Sequence, residues 1–161
     1  MNERKILISQ YHAALEMLKQ TIIQCPESLW NSLDTRTPFW QIAYHALFYT
    51  HLYVQDSQQT FTAWSKHREE YQFSDQVPQP PHQSPDKATV LEYLAFCEQQ
   101  VVEKVTGTNL EADSGFDWLP FSKLELQLYT IRHIQQHVGE LMERLGSRAK
   151  IEIDWVGSRR G

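Results

Sequence analysis

Apolar residues recur at three- and four-residue steps in four long stretches of the chain. That is the period of a helix buried along one face. In the first stretch Ile8, Tyr11, Leu15, Leu18 and Ile22 make one stripe, which predicts a helix from Glu3 to about Gln24. Cys25-Pro26 ends it, because the residue before a proline is pushed out of the α region. Pro26 to Arg36 reads as a connection, with Trp30 expected to plug the core at the end of the helices.

Thr37-Pro38 marks a second helix start: threonine suits the N-cap and proline the first helical position. The helix runs from Phe39 to Val54 and is apolar or aromatic nearly all the way round. Such a helix is buried on most sides. A second copy of the chain is the expected cover for the remaining side, hence a homodimer; the alternative is aromatics left partly exposed. Asp56 to about Pro85 is irregular. A turn or short helix is expected between Phe61 and Trp64, and Val77-Pro78-Gln79-Pro80-Pro81 excludes regular helix. A segment this long either packs on its own account or carries function; covering one end of the helices is one such role.

Ser84-Pro85 repeats the start signal. Val90, Leu91, Leu94, Cys97, Val101 and Val105 then mark a third helix, ending near Gly107. After a connection from Thr108 to Phe121, Ser122-Lys123-Leu124-Glu125 is a capping box that opens a fourth helix. Its stripe is Leu124, Ile131, Ile134, Val138, Leu141 and Leu145, with Gly146 expected as the C-cap. The tail Ile151-Glu152-Ile153-Asp154-Trp155-Val156 alternates, and Trp155 is expected to dock on the helices. Four helices without convincing strand pairs predict an all-α protein, a four-helix bundle, as one domain over residues 1–161 with a long connection between helices 2 and 3.

Composition narrows the function classes. With 161 residues, 41% of them apolar, the chain can bury a core without disulfides. Its formal net charge is −5 and it has no dense Lys/Arg stripe, which argues against nucleic acid as a partner. The terminal pair Arg159-Arg160 is too small to change that. Cys25 and Cys97 lie far apart and outside any C-x-x-C motif, and are expected as buried thiols. No signal core and no membrane-spanning run is visible, so no membrane partner is expected and the cytoplasm is the expected location.

The chemistry concentrates in the histidines, of which there are seven. His133 and His137 are four apart on the fourth helix, where side chains stack one above the other. They lie on one flank of its apolar stripe. Two imidazoles can share a metal ion but cannot complete its shell. His67 and His82 fall in the irregular segment. His51 lies on a different face of the second helix from His45. His45 shares its face with Ile42, Tyr49 and Leu52 and sits in crowded apolar surroundings, where a lone imidazole needs partners. A bare H-x-x-x-H arises easily by chance, so a three-histidine site and a pair of ordinary half-buried polar residues both remain open on these grounds. Tyr49 and Asp56 are the only visible candidates for supporting groups. Asp56 reads better as a solvated helix end, and Trp40, Tyr44, Phe48 and Tyr53 read as packing.

Two segments carry a family resemblance: Thr37-Pro38-Phe39-Trp40-Gln41-Ile42-Ala43-Tyr44-His45 and His133-Ile134-Gln135-Gln136-His137-Val138-Gly139-Glu140-Leu141. With the order of elements, they make the chain resemble the DinB-like (DinB/YfiT) superfamily of four-helix metal-binding proteins over nearly its whole length. The family pattern is one histidine from the second helix and an H-x-x-x-H from the last. The resemblance therefore implies His45, His133 and His137 as ligands of one divalent metal ion, with zinc or nickel expected. Relatives in ergothioneine chemistry carry H-x-x-x-H-x-E, whereas Glu140 here follows His137 by three residues, so that iron-site pattern is not matched. Members that use low-molecular-weight thiols imply a thiol-dependent transferase acting on a small electrophile. Metal-activated water for hydrolysis and a non-catalytic metal-stabilised module are the alternatives. No catalytic acid or base is identifiable.

Overall fold

The structure is a computed structural model and describes residues 2–33, 37–72 and 83–159. Arg36, the stretch Val77–Pro81, His82 and Arg160 lie outside these residues. The described residues are all-helical, with one isolated antiparallel bridge, Asp113 to Ser122.

Helix α1 spans Glu3–Gln24 and is capped by the Asn2 side chain, which accepts from the Lys5 amide at 3.2 Å. Leu7, Tyr11, Leu15, Leu18 and Ile22 are its buried stripe; Ile8 is only partly buried. After Pro26, a four-residue helix α2, Glu27–Trp30, replaces the expected plain connection. It seats Trp30, 2% exposed, against Phe39, and the indole N–H donates to the Pro85 carbonyl at 3.0 Å.

Helix α3 spans Phe39–Tyr53. Pro38 stands at its N-cap with no side-chain cap bond, so the start falls one residue after the expected one. The faces of α3 are covered from within the chain. Tyr71, from a short turn at Glu69–Tyr71, packs on Trp40 and Tyr44, Phe61 packs on Phe48, and His67 stacks on Tyr44. The described part of the irregular segment, at Phe61, His67 and Tyr71, thus lies along α3. Gln41, His45 and Tyr49 are the residues of α3 that keep partial exposure.

Helix α4 spans Lys87–Gly107. Its cap is Asp86, not Ser84, because the Asp86 carboxylate accepts from the Thr89 amide at 2.8 Å. Helix α5 spans Lys123–Arg144 and begins at the expected cap, Ser122, whose hydroxyl accepts from the Glu125 amide at 3.3 Å. Gly146 does not stop it. The chain continues through a wider π-type turn, Leu145–Ala149, and the left-handed residue is Lys150 at φ 60°. The tail then follows α1: the Asp154 amide donates to Gln20 Oε1 at 2.9 Å and Gln10 donates to the Gly157 carbonyl at 3.1 Å. Ile151, Ile153 and Val156 pack on the core, while Trp155 is 75% exposed instead of docked.

α1 packs along α4 and α5, and α3 packs along the same two helices; α1 and α3 themselves touch little. Their apolar stripes meet in one core, where each fully buried large side chain contributes about 1.5–3 kcal/mol. The hydroxyls of Thr21, Thr50 and Thr130, buried in it, return to carbonyls of their own helices, each at 2.7 Å. Cys25 and Cys97 are both buried, with no disulfide between them. No helix among the described residues is long and apolar enough to cross a membrane.

Candidate metal centre

The contact of α3 with α5 places the candidate site. His45 projects from the middle of α3; His133 and His137 lie one turn apart on α5. Their Nε2 atoms converge: His45 to His133 is 3.2 Å and His133 to His137 is 3.1 Å. One ligand atom from each of the three residues lies within 4.8 Å of the others. The rings do not stack: His45 is tilted 56° to His133, and the other pairs meet at 80° for His45 with His137 and 88° for His133 with His137.

That arrangement is poor for neutral imidazoles alone. An N–H on His133 Nε2 can donate to one neighbour and leaves the other facing it without a proton. An N–H moved to His133 Nδ1 finds no acceptor among the described residues, where that atom is buried without a hydrogen-bond partner. A cation resolves the convergence. Nitrogens at about 2.0–2.1 Å from a tetrahedral ion stand roughly 3.3 Å apart, close to the separations here. The donor set thus fits a divalent ion that accepts imidazole, zinc and nickel among them.

The electrostatics agree. Burial pushes His45 down to about 3, assisted by His137 and then His133. Burial, assisted by His137, pushes His133 down to about 4. Both rings are neutral near pH 7, the form that offers a lone pair. Glu140, one turn along α5, accepts from His137 Nδ1 at 3.3 Å, and Arg144 holds the same carboxylate at 3.1 Å. Such an outer acceptor fixes the tautomer that leaves Nε2 free for a metal. The sequence places Glu140 three residues after His137, a spacing that shares a helix face. Its position is that of a supporting group. Tyr49 packs its ring on His45 at 4.8 Å and on His133 at 5.7 Å, which limits how far either imidazole can turn.

The remaining histidines go elsewhere. His67 accepts from or donates to the Tyr44 hydroxyl at 2.7 Å, and His51 faces α4 beside Tyr93. Asp56 is exposed, and its backbone carbonyl accepts from Lys123 at 2.7 Å. Trp40, Tyr44, Phe48 and Tyr53 are buried packing residues. No family model, curated protein or solved structure matches this chain.

Proposed function

We propose that His45, His133 and His137 hold one divalent metal ion in a four-helix bundle of the DinB-like type, and that the protein is a thiol-dependent transferase. The observation that carries the metal site is the convergence of three imidazoles from two helices, His45 meeting His133 across 88 positions of sequence. The reaction class rests on the motif resemblance. An ion held by three neutral imidazoles keeps its +2 charge and lowers the pKa of a thiol or water bound beside them. The chain's own part is positional. Burial keeps His45 and His133 unprotonated, Glu140 orients His137, and Tyr49 braces the two rings that face it. All three ligands retain some exposure, so the cluster stands at the edge of the core, within reach of a small thiol and an electrophile.

Metal content of purified wild type and His133→Ala tests the site. Close to one ion per chain is expected in wild type and none in the variant; equal content in both sinks it. A panel of low-molecular-weight thiols against monochlorobimane, with and without chelator, tests the reaction. Chelator-sensitive conjugation supports thiol transfer. Metal-dependent ester or amide cleavage without a thiol replaces it with hydrolysis. Silence in both assays, with chelation lowering only the melting temperature, leaves a structural metal and ends the transferase reading.

A further inference from the structure

On another face of α3, His51 opens onto a cavity of about 410 Å³, formed with α4 and the chain around residues 60–65. That volume is in the range of small-molecule sites. None of the three candidate metal ligands lines it, and neither does any residue of α5.

His51 is 2% exposed. Its Nδ1 lies 3.2 Å from the Tyr93 hydroxyl. Tyr93 is fully buried, and burial holds its phenol well above the usual range, so it remains an O–H donor. Among the described residues Nδ1 of His51 is its one acceptor, which places the imidazole proton on Nε2. That Nε2–H makes no hydrogen bond among the described residues. It is not one of the sealed, unpartnered polar atoms either, so it looks into the cavity. The imidazole is held rigidly, with Phe61 and Phe96 edge-on at 4.9 Å each. Gln55 fixes the wall by donating to the His51 carbonyl at 3.1 Å and to Gln100 Oε1 at 3.2 Å, tying the end of α3 to α4.

The one formally charged side chain on the lining, among the described residues, is a cation. Lys104 lies on the lining, close enough that its charge acts on His51, and no carboxylate lines the cavity among the described residues. Glu103 pairs with Lys104 at 3.3 Å and accepts from Gln100 of the lining at 3.4 Å, but it is 65% exposed, and such a pair holds weakly. Phe96 and Trp64 supply flat apolar walls, Trp64 being stacked on Tyr93 at 4.7 Å.

We infer that this cavity is a second ligand site for a small planar organic anion, with its carboxylate on His51 Nε2–H and Lys104 and its body against Phe96 and Trp64. The inference does not depend on the metal or on the transferase reading. Benzoate is the probe, and benzamide its neutral counterpart. The Trp64 indole and His51 ring resonances of the full chain are followed by NMR during titration. Benzoate in the millimolar range should shift both saturably, and benzamide should bind about tenfold more weakly, as expected for losing a charge-assisted contact. Lys104→Gln, a partly exposed change that spares the core, should weaken benzoate by a similar factor with an unchanged melting temperature. Protein stripped of metal by dialysis should bind benzoate as before. No saturable shift, equal binding of benzoate and benzamide, or binding that disappears with the metal while surviving Lys104→Gln, would each overturn the inference.

Discussion

The ammonium of Lys123, the first residue of α5, rests on the backbone carbonyl of Gln55 just beyond the end of α3, at 2.8 Å. It also reaches the Asp56 carbonyl at 2.7 Å. Lys123 is 5% exposed, and burial pushes its pKa down despite the opposing pull of Asp56. The contact pins the two helices that carry the candidate ligands. Lys123→Met keeps the stem and removes the charge, leaving two carbonyls without their donor. Urea unfolding should show a loss of about 2–3 kcal/mol. A change within about 0.5 kcal/mol, the size expected of an ordinary surface site, would mean that the contact does not hold the helices.

Glu140 predicts a second effect. Glu140→Ala removes the acceptor of His137 Nδ1 without touching a ligand. Metal affinity, measured by competition with a chromophoric chelator, should fall about 10–100-fold. Glu143→Ala, an exposed carboxylate on the same helix, is the control and should leave affinity unchanged. Equal losses in the two variants would point to net charge rather than to orientation of the ring.

Acidification should destabilise the metal-free protein in a defined window. His51 and His133 are both lowered to about 4, and His45 to about 3, from 6.5. Between those values the unfolded chain binds more protons than the folded one, so stability rises with pH there. It is fully present above about pH 6.5 and is lost as pH falls through 6.5 toward 4. Each histidine that remains neutral in the fold contributes a slope of about 1.4 kcal/mol per pH unit. Denaturation midpoints across this range check the sign; a flat profile would mean that these rings protonate in the folded state.

Two glycines should respond in opposite ways. Gly115 has φ 84°, and a Cβ there would stand 1.9 Å from the Asp56 carbonyl oxygen. Gly115→Ala forces that backbone to move and should cost upward of about 2 kcal/mol. A Cβ on Gly146 meets nothing. Gly146→Ala, in a turn continuous with α5, should be neutral or stabilise by up to about 1 kcal/mol. Thermal melts of the pair suffice, and a reversed order would place the tight turn elsewhere.

The helices were legible where period and cap coincide. Ser122 and Glu125 announce α5, and the observed bond between them sets its start. Signals of composition alone shifted. Ser84-Pro85 looks like a start, but the stronger acceptor at Asp86 takes the cap. Gly146 looks like a stop, but nothing near it forces a left-handed turn, and Lys150 adopts that conformation instead. Four residues around Trp30 are too few to show a period, so α2 was invisible. The cover of α3 by Phe61, His67 and Tyr71 comes from irregular chain, where side-chain contacts have no sequence rhythm. In the candidate site, the H-x-x-x-H pair and the face of His45 were readable because both follow helix geometry. Glu140 shows at the same spacing as any i,i+3 pair. His51 could be excluded from the metal by its face, but the cavity it lines depends on where α4 and residues 60–65 come to lie.

The pairing of the helices has a kinetic corollary. α1 and α3 are successive long helices, with only the short α2 between them, yet barely touch, while α1 finds its partners in α4 and α5. Little of the packing can form as a local hairpin. Long loops must close before α1 gains its cover, and loop closure costs entropy before any contact repays it. Among helical proteins of similar length, this order of packing favours slower folding than an up-and-down arrangement, with α1 waiting for the second half of the chain.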